Sequence, residues 1–198
     1  MRITSGKFKG RRLKTVEGPG MRPATDKVRE AVFSMLAARG LDLQEARVLD
    51  LFAGSGAMAL EALSRGAGFA LCVEMSRKVA ACLRDNFRSM DLALKAWKVV
   101  QADALSFASR PAQTPFDVIF VDPPYGYGLA AKTLPLLASN GYLSPQGWAV
   151  AEIESSTPAP DAPSGWTREL DRTYGQTRIA AWTLVRQESP FTPERSTP

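Results

Sequence analysis

The residues that could do chemistry in this chain are carboxylates at the ends of apolar runs, and one of them stands out. Asp117-Val118-Ile119-Phe120-Val121-Asp122-Pro123-Pro124-Tyr125-Gly126 carries a β-branched and aromatic run straight into an acid, two prolines and an aromatic. Neither proline can donate a ladder hydrogen bond and each fixes its own φ, so the strand stops there and the chain stiffens just beyond it. In open α/β sheets the carboxyl ends of strands are where ligands bind. Taken alone, the stretch is also what a Pro-Pro turn leaving a strand looks like, so the rest of the chain has to decide. Three more acids occupy equivalent places: Asp50 before Phe52-Ala53-Gly54-Ser55-Gly56, Glu74 after a second apolar run, and Asp103 before Ala104 after a third. Glycines at a strand-to-helix turn let the backbone approach a ligand and present helix-start amides to its anionic end. Glu74, 24 residues after Asp50, stands where an acid can accept both hydroxyls of a ribose. The dinucleotide fingerprint would want a third glycine at residue 59, and Ala59 stands there instead.

The elements that must position these acids alternate. Strand signals cover Arg47 to Phe52, Phe69 to Glu74, Trp97 to Gln101, Val118 to Asp122 and Trp148 to Ile153. Helical signals separate them, over Ala57 to Arg65, Ser76 to Arg88, a short segment near Leu105, and Ala130 to Ala138. Such a rhythm predicts a Rossmann-like α/β fold, a doubly wound and mostly parallel seven-stranded sheet. Thr167 to Thr173 and Thr177 to Val185, joined at Tyr174-Gly175-Gln176, complete it as a closing antiparallel hairpin. Ahead of the sheet, Thr25 or Asp26 caps a helix that Gly40 ends, with Val28, Ala31, Val32, Met35 and Leu36 on one face. Residues 1–20 read as a small basic β-ribbon, 21–186 as the main domain, and 187–198 as a disordered tail.

Charge is unevenly placed. Residues 1–29 hold nine basic side chains against two acidic ones, so a segment of net charge +7 precedes a remainder of −2 in a chain of +5. That is the electrostatic footprint of a polyanion binder, nucleic acid first, although a merely solvated basic surface has the same composition. The chain contains no histidine, which removes a histidine general base and, with only Cys72 and Cys82 at no ligand spacing, argues against a metal site. No run approaches the roughly 18 apolar residues of a membrane span, so a soluble, cytoplasmic protein is expected.

In their order and spacing, Asp50-x-Phe52-x-Gly54-x-Gly56, Glu74, Asp103-Ala104 and Asp122-Pro123-Pro124-Tyr125 resemble the motifs of class I S-adenosylmethionine-dependent methyltransferases. The Asp-Pro-Pro-Tyr form is similar to that of enzymes methylating exocyclic amines of nucleobases. Met1-Arg2-Ile3, Gly6-Lys7-Phe8-Lys9-Gly10 and Arg22-Pro23-x-Thr25-Asp26-x-Val28-Arg29-Glu30 narrow the resemblance to the bacterial small-subunit (16S) rRNA guanine-N2 methyltransferase family of the RsmD type, over about residues 1–186. One departure is Ala24, where a threonine is expected.

The resemblance implies that Glu74 holds the cofactor ribose with Met75 beside it, that Asp103 and Ala104 meet the adenine, and that Asp50, Phe52, Ala53, Gly54, Ser55 and Gly56 lie against the methionine part. Asp122, counted with the cofactor site as well, and a carbonyl of Pro123-Pro124 would accept hydrogen bonds from the amine. Tyr125 would stack on the base, and Asp122 or water would take the proton. Arg2, Lys7, Lys9, Arg11, Arg12, Arg22, Thr25 and Arg29 are the expected RNA contacts. The expected partner is rRNA in an assembling small ribosomal subunit, met by a monomer without metal. An adenine-N6 DNA methyltransferase and a non-catalytic RNA-binding assembly factor are the alternative readings.

Overall fold

A computed structural model describes residues 1–16 and 26–185. The short apolar and β-branched runs of β1 (Arg47–Leu51), β2 (Phe69–Glu74), β3 (Trp97–Gln101) and β4 (Phe116–Val121) give four parallel strands. β5 (Leu143–Glu154) adds a fifth beside β4, and the closing hairpin of β6 (Trp166–Tyr174) and β7 (Thr177–Leu184) puts β7 antiparallel against β5. The order is β3-β2-β1-β4-β5-β7-β6. Because the chain winds outward from β1 to β3 and then crosses back to β4, the winding reverses between β1 and β4. A crevice opens at such a switch point, above the carboxyl ends of the strands.

Alternate side chains enter two cores. Val48, Ala70, Cys72, Val118, Phe120 and Val150 pack on one face, with α1 (Asp26–Ala37), α2 (Ala57–Ser64) and α3 (Arg77–Arg88). Leu49, Leu51, Val73, Ile119, Val121 and Ala149 pack on the other, with α4 (Ala104–Ala108) and α5 (Leu129–Ser139). Both faces are covered, which is why the central strands carry no polar alternation. The buried stripe of α1 is Arg29, Val32, Phe33 and Leu36, rotated from the expected Val28, Ala31, Val32, Met35 and Leu36. Phe33 decides the rotation by packing at a tilt of 58° against Phe120 of β4, with ring centroids 5.5 Å apart.

The N-terminal residues form an irregular hairpin with one antiparallel bridge, Arg2 to Arg12, and further backbone bonds between Ile3 and both Gly10 and Arg11. It is not an isolated appendage. Ile3, Phe8 and Leu13 are buried in the first core, and burial of such side chains contributes about 1.5–3 kcal/mol each. Gly6, at φ 77°, lies so close to the end of α2 that a Cβ there would overlap the Ser64 carbonyl. The amide of Lys7 donates to that carbonyl at 2.7 Å.

Two elements extend beyond their sequence signals. β4 begins at Phe116 rather than Val118, because Asp117 accepts from the Arg47 amide at 2.9 Å and from Ser144 Oγ at 2.8 Å. β5 begins at Leu143 rather than Trp148, with an irregular register between Phe116 and Val118 of its neighbour. The expected Thr25 cap and the expected disordered tail at 187–198 lie outside the described residues.

Candidate active site

The carboxyl ends of β1 to β4 wall a cavity of about 800 Å³, within the range of small-molecule and cofactor sites. The structure brings Asp50, Phe52, Ala53, Gly54, Ser55, Glu74, Met75, Asp103, Ala104, Asp122, Pro123, Pro124 and Tyr125 to its lining. Gly56 is the exception among the expected cofactor residues. It stands behind the loop at φ 78°, where a Cβ would come within 2.3 Å of Leu83 Cδ1, so its role is to let α2 start against α3.

Glu74 organises the loop at its own strand end. Its carboxylate accepts from the Gly54 amide at 3.1 Å and from the Ser76 amide at 2.7 Å. A carboxylate offers about four lone-pair sites, so two such bonds fix its orientation and leave capacity for a diol. Asp103 caps α4 by accepting from the Ser106 amide at 2.8 Å. Asp50 is buried beneath the glycine turn and accepts from the Ala59 amide at 3.1 Å. Burial pushes its carboxyl up to about 8, the Ala59 bond opposing that and the Glu74 charge adding to it.

Asp122 is half-buried directly after β4. Its carboxyl is held well above the usual carboxylate range, first by burial, then by the charges of Glu152 and Asp50. Glu152, itself raised by burial, stands near the end of β5 and accepts from Tyr125 Oη and Thr177 Oγ1, both at 3.4 Å. Asp122 and Glu152 line one further small void, and two carboxyls so placed resist ionising together. The Tyr125 ring is thereby tethered by its hydroxyl while the residue lines the cavity. Sequence reasoning missed Glu152, although an acid inside Trp148-Ala149-Val150-Ala151-Glu152-Ile153 was a signal that it is buried for a reason.

Of the expected RNA contacts, Arg2, Lys7, Lys9, Arg11 and Arg12 are exposed together on the hairpin. Arg22 and Thr25 lie outside the described residues. Arg29 corrects the reading: it is fully buried, donating from Nε to Glu61 Oε2 at 3.3 Å and from Nη2 to Asp26 Oδ1 at 2.8 Å and to the Arg2 carbonyl. It is a framework residue at the cavity wall, not a surface contact. Its partner Glu61, equally buried, was also missed, because a helix acid at that spacing reads as solvated. Among the described residues no group of three or more side chains is arranged to hold a metal ion, and no helix is long and apolar enough to cross a membrane.

A nucleoside-sized cavity over the β1/β4 switch point, with the strand-end acid Glu74 bonded to the glycine turn and a sheet closed by an antiparallel hairpin, is the architecture of a class I S-adenosylmethionine-dependent methyltransferase. The comparisons with known proteins agree and narrow the class. The model of the family described as conserved hypothetical protein 95 matches residues 1–183, and the chain belongs to that family, the RsmD type. It is 39% identical over 191 residues to ribosomal RNA small subunit methyltransferase D of Escherichia coli K12, covering 96% of this chain and 91% of that protein. The Haemophilus influenzae protein of the same name is 34% identical, over 88% of this chain and 89% of its own. The solved structure of Escherichia coli yhhF superposes with a TM-score of 0.83 at 36% identity, covering 94% of this chain and 99% of that one.

Proposed function

We propose that this enzyme methylates the exocyclic N2 amine of a guanine in small-subunit rRNA, acting as a monomer on rRNA of an assembling subunit. The names of the relatives support the rRNA, and the observation that carries the amine is Asp122 at the cavity wall, followed by two prolines and a tethered tyrosine. The residues fit the cofactor: Glu74 has carboxylate capacity for the ribose, Asp103 and Ala104 line the neighbouring wall, and Phe52 to Ser55 line the turn above β1. When bound, S-adenosylmethionine supplies an activated methyl group, so the protein's task is the nucleophile.

A guanine N2 lone pair is delocalised into the ring. Asp122 and a carbonyl of the Pro123-Pro124 segment accept hydrogen bonds from that amine and draw it toward tetrahedral geometry. The fixed φ angles of the two prolines keep the carbonyl from yielding. Orienting two reactants in this way contributes several kcal/mol, on the order of what effective molarities allow. Glu152 holds the proton that the pair shares when Asp122 is ionised, and Asp122 or water takes the proton released by the amine. Tyr125 stacks on the extruded base, a contact of about 1–3 kcal/mol in single-strand binders. Arg2, Lys7, Lys9, Arg11 and Arg12 hold the surrounding phosphates without reading sequence.

The test is to incubate the protein with labelled S-adenosylmethionine and, in parallel, unmethylated small-subunit rRNA, subunits or DNA, and to map the modified nucleotide. Label on a guanine N2 is expected, with Asp122→Ala reducing transfer by about 100-fold or more. Transfer by folded Asp122→Ala within about threefold of wild type would refute the polarising role. Label on DNA adenine, or on no nucleic acid, would replace the reading with one of its alternatives.

A further inference from the structure

The loop after the two prolines holds an aromatic that the mechanism does not use. Gly126-Tyr127-Gly128 joins Tyr125 to the start of α5, and both glycines are left-handed, at φ 85° and 61°. Glycine takes such angles without strain, so the pair turns the chain on either side of the tyrosine. A Cβ added at either glycine would meet nothing within 4 Å, so the backbone there stands clear of the rest of the fold. Tyr127 is 68% exposed, and among the described residues its ring packs on no other ring and its hydroxyl has no hydrogen-bond partner. Tyr125, two residues earlier, is the reverse: its hydroxyl is held by Glu152 and Thr177 and the residue lines the cavity.

Single exposed aromatics are common on protein surfaces, so the place of this one decides what it can do. Tyr125 and Leu129 both line the cavity, and Tyr127 lies between them in the chain but outside the lining, at the rim. Two residues of chain span at most about 7 Å, so a base on Tyr127 is a near neighbour of a base on Tyr125. Met1, Thr15 and Val16 line the same cavity, so the hairpin with its exposed basic side chains reaches it as well. A nucleotide whose base enters the cavity leaves its stack, and each neighbouring base thereby loses a stacking face. An aromatic at the rim replaces that face without reading sequence, since every base has a π-face. Resting on the rRNA reading above, we propose that Tyr127 stacks on the base next to the target guanine, outside the cavity, and holds the strand open around the extruded nucleotide. Tyr125 serves the guanine and Tyr127 its neighbour.

The experiment uses the full chain and a small-subunit rRNA fragment carrying the guanine that labelling maps, prepared intact and with an abasic site at one neighbour or the other. Tyr127→Ala should raise KM for the intact fragment about 5- to 150-fold, the ratio that one base–aromatic stack represents, with kcat within about threefold. Tyr127→Phe should keep the wild-type KM, and Tyr127→Leu, apolar but not flat, should not. A merely structural role would not produce the coupling: on the fragment lacking the stacked neighbour, wild type and Tyr127→Ala should agree in KM within about twofold. Additive effects at both neighbours overturn the stack, as does a Tyr127→Ala KM within about twofold of wild type on the intact fragment. An exposed side chain is removable without loss of Tm, and calorimetric binding of S-adenosylhomocysteine should be unchanged in Tyr127→Ala. Loss of that binding would move the residue into the cofactor site and overturn the proposal. Transfer to no RNA by wild type would overturn the rRNA reading and the stack with it, whereas transfer with an additive cycle overturns the stack alone.

Discussion

Replacing Glu61 with alanine should loosen the N-terminal hairpin from the domain, and the structure sets the size of the effect. The Glu61 carboxylate is fully buried and accepts from the Thr4 amide at 2.8 Å, Thr4 Oγ1 at 2.7 Å, the Ser5 amide at 3.0 Å, Arg29 Nε at 3.3 Å and Arg65 Nε at 2.9 Å. Truncation removes the acceptor and leaves the Arg29 charge buried with Asp26 as its remaining ion-pair partner. Breaking a buried ion pair from one side costs about 3–5 kcal/mol. In a domain of this size each kcal/mol lowers Tm by about 2–4 °C, so a fall of about 6–20 °C is expected. Glu61→Gln keeps one acceptor and should fall by less, about 1–3 kcal/mol. Urea denaturation measures the total, and hydrogen exchange at the Thr4 and Ser5 amides localises it, since both should lose protection before the β-sheet does. A Glu61→Ala protein within about 1 kcal/mol of wild type, or with those two amides still protected, would show that the apolar contacts of Ile3, Phe8 and Leu13 hold the hairpin without it.

Glu152→Gln keeps an acceptor for Tyr125 but cannot carry the charge that helps raise Asp122, so the acid limb of the pH–rate profile should move to lower pH; an unmoved limb would separate the two groups. For Asp50 the sign follows from a folded carboxyl raised to about 8 against an unfolded value of about 3.9: its contribution to stability is complete below about pH 4 and is lost as pH rises through about 8. Asp50→Asn should therefore flatten the decline of Tm between about pH 5 and 8, and an unchanged slope would place the decline elsewhere. Alanine at Lys7, Lys9, Arg11 and Arg12 together should weaken RNA binding and cut the log–log salt slope by about 3, whereas an unaltered slope would remove the hairpin from the phosphate contacts.

The parts of this fold that were legible in the sequence are those in which one residue's neighbours along the chain decide its state. All seven strands carried their own apolar or β-branched signal, and the acids at 50, 74, 103 and 122 could be placed in one crevice because strand ends in a doubly wound sheet converge. What was not legible depends on neighbours distant in sequence. Asp117 extends β4 because Arg47 and Ser144 come to it, contacts 70 and 27 residues away in the chain. Gly56 reads as a ligand glycine until Leu83 is seen behind it. Arg29 follows the same logic in α1: apolar periodicity counts only apolar residues, so a buried arginine rotates the stripe without leaving a trace in the pattern.

Arg29 and Glu61 also explain why the hairpin and the cavity cannot be treated as separate devices. Ile3, Phe8 and Leu13 hold the hairpin by burial, which is strong but non-directional and would tolerate some sliding over the first core. Direction comes from the charged cluster. One carboxylate takes donors from the hairpin backbone, from α1 and from Arg65 a turn further along its own helix, and Arg29 in turn donates to the hairpin carbonyl at Arg2. Such a cluster adds little net stability over an apolar one, because the desolvation of each charge offsets most of the attraction. What it adds is a fixed geometry among three elements. A hairpin shifted relative to α2 must break the Thr4 and Ser5 bonds to Glu61 and the bond from Arg29 to the Arg2 carbonyl, and Arg29 belongs to the cavity wall. The exposed basic surface and the buried end of the cavity are therefore positioned by the same side chain.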